Sequence, residues 1–176
     1  MKTPANIKVL ALDVDGVLTD GTITFGTWTK KEIKTFHVHD GMGISLWQKA
    51  GNHVVLLSGR NAECVKLRAK ELGIKYVHQG SLDKIADLEA TLAKLEATAE
   101  QTCFVGDDLG DMPVMQHVGY SIAVHNAAQE VRQTASWTTT RNGGRGAVRE
   151  AIEHLMKAND TWETAVSSCQ KEPVQQ

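Results

Sequence analysis

Two aspartates, Asp13 and Asp15, stand two residues apart at the end of the apolar run Val9-Leu10-Ala11-Leu12 and just ahead of Gly16. In an extended chain, positions i and i+2 point the same way, so this run delivers two carboxylates side by side. Unit charges about 4 Å apart repel by about 4 kcal/mol at an effective dielectric of about 20, a cost that a cation between them removes. Polar groups of similar character follow three other apolar runs. Ser58-Gly59-Arg60 follows His53-Val54-Val55-Leu56-Leu57, Lys84 comes soon after Tyr76-Val77-His78, and Asp107, Asp108 and Asp111 follow Thr102-Cys103-Phe104-Val105. Carboxylates with no His or Cys pattern are hard oxygen donors that favour magnesium over zinc, and such an ion keeps places for water and a substrate phosphate. Ser58 and the Gly59 amide read as the opening of a helix, where backbone donors favour an anion. Lys84 also reads as the opening of a helix. Its charge opposes the dipole there, so pairing with an anion explains it better than a structural role. Cation, phosphate cradle, nucleophile and acid–base group together make a phosphoryl-transfer site. Taken singly, the same residues have plainer readings: Asp13 to Gly16 as a turn, Ser58 as a helix cap, Lys84 as a solvated lysine.

Whether these residues meet depends on the elements that carry them. The first strand is followed by two stretches rich in β-branched and aromatic residues, which predicts a β-hairpin over about 22–38. His39-Asp40-Gly41-Met42-Gly43 reads as a turn feeding a helix with Ile44, Leu46, Trp47 and Ala50 on its apolar face, closed by Gly51. Val65, Ala69 and Leu72 mark a helix that stops at Gly73, and Ile85, Leu88, Leu92 and Leu95 mark another. Beyond Val105 the alternation continues, with helices over 112–118, 127–134 and 147–156 and strands over 121–124 and 136–139. This rhythm predicts a three-layer, Rossmann-like α/β fold with a mostly parallel sheet. Parallel strands share one carboxyl edge, so the polar clusters should converge there. Residues 1–158 read as a single domain and 159–176 as a polar, loose tail.

Composition narrows the function classes. The chain has 176 residues, a formal charge of −2, 41% hydrophobic and 23% charged residues, which suits one core-bearing domain. A near-neutral balance gives no footprint for nucleic acid or an anionic membrane. No run has the length of a membrane span, and Met1 to Lys8 lacks the apolar core of a signal peptide. Cys64, Cys103 and Cys169 are scattered without CxxC spacing, which favours reduced thiols in the cytoplasm over a zinc site.

The ordered motifs Asp13-Val14-Asp15-Gly16-Val17-Leu18-Thr19-Asp20-Gly21, Leu57-Ser58-Gly59-Arg60, Gln79-Gly80 with Lys84, and Gly106-Asp107-Asp108 with Asp111 resemble the haloacid dehalogenase superfamily. With Phe36-His37-Val38-His39-Asp40-Gly41-Met42-Gly43 and Gly143-Gly144-Arg145-Gly146-Ala147-Val148-Arg149-Glu150, the chain is similar, from about Val9 to Leu155, to the capless 3-deoxy-D-manno-octulosonate 8-phosphate phosphatase family. The resemblance implies Asp13 as nucleophile and Asp15 as general acid and base. Magnesium would be held by Asp13, Asp107 and the main-chain carbonyl of Asp15, with Asp108 and Asp111 in support. It implies Ser58, Gly59 and Lys84 on the phosphate. Arg60, Arg68 and the loop of His37, Val38, His39, Asp40 and Gly41 would line the sugar-acid side. The implied substrate is a 2-keto-3-deoxy sugar acid phosphate, with an eight-carbon acid in the lead. A nine-carbon acid and a catalytically idle interaction domain stand as alternatives, and a signalling receiver module is disfavoured because it lacks the hairpin. The segments Gly21–His53 and Arg60–Lys84 leave no room for a cap domain. The family closes uncapped sites by forming a tetramer, and Phe25, Trp28 and Ile33 on the hairpin are apolar surface suited to a partner.

Overall fold

The structure, a computed structural model, describes residues 3–171. Six strands form one parallel sheet: β1 (Val9–Leu12), β4 (His53–Ser58), β5 (Tyr76–Gln79), β6 (Thr102–Gly106), β7 (Tyr120–Ala123) and β8 (Trp137–Thr138), in the order β5-β4-β1-β6-β7-β8. Every residue of β1 is buried, as the unbroken apolar run requires of a strand covered on both faces. The helices are α1 (Val38–Lys49), α2 (Glu63–Glu71), α3 (Lys84–Leu95), α4 (Met112–His117), α5 (Gln129–Thr134), α6 (Ala147–Ala158) and α7 (Trp162–Lys171). They flank the sheet, with α1 packed on α6 and α6 on α7, and with α3, α4 and α5 in a second row. After β1 the chain runs outward through β4 and β5, then crosses back to add β6 on β1's other side. The order therefore reverses between β1 and β6, and crevices at such switch points are where α/β sheets bind ligands.

The small sheet pairs β2 (Thr24–Phe25) with β3 (Glu32–Ile33), antiparallel. It is the predicted hairpin, with much shorter strands than 22–38 allows. Neither the connection after β1 nor that after β4 carries a further domain: the first holds the hairpin and α1, the second α2 alone.

Three local expectations are corrected. Residues 39–43 are not a turn but the first turns of α1, because His37 takes the cap position and its ring accepts from the His39 amide at 3.3 Å. Ser58 and Gly59 do not open α2. The Ser58 hydroxyl takes the Arg60 amide at 3.1 Å, and the Arg60 and Ser58 carbonyls bond the amides of Gly80 and Ser81. The chain is thus tied to the end of β5 before α2 starts from Ala62. The tail after Ala158 is not loose throughout, since residues 162–171 form α7. Its anchor is Trp162, 8% exposed, with the Arg149 guanidinium 4.9 Å from its ring and Ala165, Val166 and Cys169 packed on the core. Residues 172–176 of the predicted tail lie outside the described residues.

Candidate active site

At the carboxyl edge of the sheet, Asp13 follows β1 and is 6% exposed. Beyond it the chain makes one tight turn, Val14–Leu18, whose irregular points are Asp15 (φ −83°, ψ 105°) and Gly16 (φ 98°). Only glycine suits position 16: its backbone is left-handed, and a Cβ would lie 2.0 Å from an Asp107 carboxylate oxygen. This turn is clamped from the far end of the sequence. Gly144 donates its amide to the Val17 carbonyl at 2.9 Å, and a Cβ on Gly143 would stand 1.6 Å from the Gly16 carbonyl oxygen.

Asp13, Asp107 and Asp111 form the core of the site, each offering a carboxylate oxygen within 4.8 Å of the others. Lys84, the first residue of α3 after the cap Asp83, sends its ammonium between Asp13 (2.6 Å) and Asp111 (2.7 Å). The other oxygen of Asp111 accepts from the amides of Asp107 at 2.9 Å and Asp108 at 3.4 Å, so Asp111 holds the loop after β6 together. Asp108 is exposed and caps the short turn at 109–111 through the Leu109 amide.

One ammonium does not offset this much negative charge. Burial first, then the Asp111 carboxylate, pushes Asp13 up to about 7 despite the opposing Lys84. Burial and then Asp13, Asp111 and Asp108 push Asp107 up to about 8. Burial pulls the Lys84 ammonium down, but Asp13 and Asp111 outweigh it and hold its pKa above the usual lysine value. An all-oxygen, charge-excessive cluster of this kind fits a small divalent cation such as magnesium.

Asp15 stands outside that cluster. Its carboxylate is bonded by the Lys34 ammonium from the hairpin and by the Ser58 hydroxyl at 3.3 Å. Lys34 also bonds Glu32, and Glu32 pairs with Arg60 at 3.0 Å. A cleft of about 510 Å³ opens above these groups, lined among others by Asp13, Asp15, Ser58, Gly59, Arg60, Lys84, Asp107, Asp108 and Asp111.

Other expected residues stand elsewhere. Asp40 is 1% exposed, and its carboxylate accepts from the Arg149 amide at 2.8 Å in the first turn of α6. Burial raises its pKa, against the lowering pull of the Arg149 amide. Gly41 packs beneath the Arg68 guanidinium, which lies 5.9 Å from the Phe36 ring and pairs with Glu71 at 2.9 Å. His37, Val38 and His39 are the cap and first residues of α1, and none of this group lines the cleft. Sequence reasoning missed Lys34 and Glu32. The signal was there: Glu32 and Lys34 flank Ile33 at i and i+2, so the strand turns two charges one way and an apolar group the other.

A parallel sheet with acidic side chains at its β1/β6 switch point and a lysine from the helix after β5 defines a class. Residues 76–152 match the haloacid dehalogenase-like hydrolase family. Over 161 residues the chain is 42% identical to the 3-deoxy-D-manno-octulosonate 8-phosphate phosphatase of Yersinia pestis, covering 92% of this chain and 86% of that protein. The enzyme of that name from Moraxella catarrhalis, solved with magnesium, phosphate and KDO, superposes with a TM-score of 0.90 at 35% identity, covering 94% of each chain. The cobalt-bound deoxy-D-mannose-octulosonate 8-phosphate phosphatase of Haemophilus influenzae gives 0.87 at 36% identity, covering 92% of this chain and 94% of that one. The chain therefore belongs to the 3-deoxy-D-manno-octulosonate 8-phosphate phosphatase family of haloacid dehalogenase-like hydrolases.

Proposed function

We propose that this chain is a magnesium-dependent phosphomonoesterase that hydrolyses 3-deoxy-D-manno-octulosonate 8-phosphate through an aspartyl-phosphate. The observation that carries the reading is the position of Asp13: a carboxylate at the switch point, bonded to Lys84 at 2.6 Å and beside Asp107 and Asp111. An oxygen of Asp13 attacks phosphorus, and the bond from phosphorus to the sugar oxygen breaks. Asp15 gives its proton to the departing sugar oxygen, then takes one from the water that attacks the aspartyl-phosphate, releasing inorganic phosphate and restoring Asp13. Lys84, with the Ser58–Gly59 loop, neutralises and orients the phosphoryl oxygens, and Arg60 at the rim faces the sugar acid.

Asp13, Asp107 and the main-chain carbonyl of Asp15 would hold magnesium. Asp111 supports them, because its oxygens are engaged by Lys84 and by the amides of the loop. When bound, magnesium supplies charge that offsets the carboxylates and draws electron density from the phosphoryl group.

The assembly in this reading is a homo-oligomer, with a tetramer expected. Support comes from the hairpin's exposed Ile23 (51%), Phe25 (63%), Trp28 (96%) and Ile33 (51%), a concentration of apolar surface that a second copy would cover. Among the described residues no helix is long and apolar enough to cross a membrane. The three free thiols suit the reducing cytoplasm.

The test is phosphate release from eight-carbon and nine-carbon sugar acid phosphates and from hexose phosphates, with magnesium and with chelator. The eight-carbon acid phosphate should turn over fastest, only with magnesium, and the Asp13→Asn enzyme should lose more than about a thousand-fold in kcat. Undiminished hydrolysis by Asp13→Asn, or after chelation, would sink the mechanism. Preference for the nine-carbon acid would keep the chemistry and change the substrate.

A further inference from the structure

The mechanism asks the carboxyl of Asp15 to stay clear of the metal-binding carboxylates and yet meet the leaving oxygen. Asp15 sits on an irregular turn, and nothing in its own backbone fixes the carboxyl rotor. Two side chains do: Ser58, which is 1% exposed, and Lys34, whose side chain is also 1% exposed. Lys34 is far from ordinary surface lysines. Its ammonium is shared by Asp15 and Glu32, and Glu32 is itself only 9% exposed and held by Arg60. Removing a cation from water costs several kcal/mol unless partners offset it, so such a lysine stays inside only where carboxylates hold it. Nothing in the hairpin's own pairing uses this charge, since the strands are two residues long and pair through backbone at Thr24–Ile33 and Phe25–Glu32.

From this geometry we infer that Lys34 is the positioning residue of the acid–base group: it draws the Asp15 carboxyl toward the hairpin, away from Asp13, Asp107 and Asp111, and holds it in line with the leaving oxygen. Glu32 completes the device by fixing Lys34 and tying it to Arg60, so that the hairpin and the Ser58–Arg60 loop are braced against each other across the cleft. The inference rests on the phosphatase reading and deepens it. Lys34 moves no proton itself; both proton transfers remain at Asp15.

The experiment compares wild type, Lys34→Met and Lys34→Arg, each with magnesium, on the eight-carbon sugar acid phosphate and on p-nitrophenyl phosphate. The nitrophenolate leaves without a proton, whereas the sugar alkoxide needs one, and hydrolysis of the aspartyl-phosphate needs Asp15 with either substrate. For Lys34→Met, kcat on the sugar substrate should fall at least about tenfold with KM within about threefold, part of the 10²–10⁴ that acid–base catalysis supplies. On p-nitrophenyl phosphate the same variant should release one nitrophenolate per active site at the wild-type rate, then settle to slow turnover. Lys34→Arg, which keeps the cation, should recover several-fold in the slow phase. A raised KM at unchanged kcat would overturn the inference, because Lys34 would then bind substrate. Equal losses on both substrates with no burst, or no recovery in Lys34→Arg, would overturn it as well. Should Lys34→Met not fold, Lys34→Gln, of similar length and uncharged, carries the same comparison. The phosphatase reading fails by a separate result, turnover surviving in Asp13→Asn, which the same assay records.

Discussion

At the residue scale the site is a problem of surplus negative charge, and the chain answers with two lysines, each shared between two carboxylates. Lys84 bridges Asp13 and Asp111; Lys34 bridges Asp15 and Glu32. What remains unbalanced shows in Asp13, pushed up to about 7, and Asp107, pushed up to about 8, chiefly by burial. Both are raised above the usual value for an unfolded aspartate, so the metal-free fold binds more protons than the unfolded chain between about pH 4 and pH 8. Their contribution to stability is therefore present at low pH and lost as pH rises through that window. In chelator, the part of the melting temperature that these carboxyls set should fall from about pH 5 to about pH 8. Magnesium should raise the melting temperature more at about pH 8 than at about pH 6, because protons and metal compete for the same oxygens. Differential scanning fluorimetry across that range, with and without magnesium, measures it; a magnesium shift that shrinks with pH would contradict these assignments. Asp13, Asp15, Lys84 and Asp107 were legible because each follows a strand in a fixed order. Asp40 was not: its polar neighbourhood in sequence resembles a loop, while its carboxylate closes the first turn of a helix more than a hundred residues away.

At the scale of elements, the buried strands were the easiest to read, since short apolar runs such as Val9–Leu12, closed by polar turn residues, suit a strand covered on both faces. The ends of helices were harder, because competition for single amides decides them. Ser58 spends its hydroxyl on the Arg60 amide, and α2 starts later than Ser-Gly suggests. His37 supplies an uncommon ring cap, and α1 starts earlier than a Gly-rich segment suggests. The close passage of Gly143 over Gly16 could not be read from spacing at all; it depends on two loops meeting across the fold. It predicts that Gly143→Ala, which adds one methyl group where a carbonyl oxygen already stands, destabilises by about 1–3 kcal/mol. The same variant should lower kcat more than it raises KM, since the turn bearing Asp15 must shift. Denaturant unfolding beside steady-state kinetics would show it, and a stable, fully active Gly143→Ala would mean that the contact is slack.

At the scale of the molecule, the alternation of strands and helices was enough for the layered sheet, and the short segments after β1 and β4 for its lack of a cap. The C-terminal helix escaped because its sequence is polar overall; what fixes it is Trp162, set against the Arg149 and Lys157 side chains of α6, with Ala165, Val166 and Cys169 packed on the core. The hairpin has an outward apolar face and inward charges: Phe25 and Trp28 are exposed, the surface that the proposed oligomer would cover, while Lys34 reaches Asp15. Replacing Trp28 and Phe25 with glutamate should therefore reduce the oligomer to smaller species by light scattering, and a wild-type protein that is already monomeric and fully active would refute the shared interface.

The clamp on the catalytic turn also has a consequence for how the enzyme comes into being. Asp13 and Asp15 leave the ribosome well ahead of the loop that locks their turn, Gly143-Gly144, which is made some 130 residues later, roughly 6–26 seconds at the usual ~5–20 residues per second of synthesis. Over that interval the nascent chain carries its acidic groups without the contact that shapes them. Activity is thus withheld until nearly the whole domain has been made, and a chain stopped short of Gly143 should be an inert protein rather than a weak phosphatase.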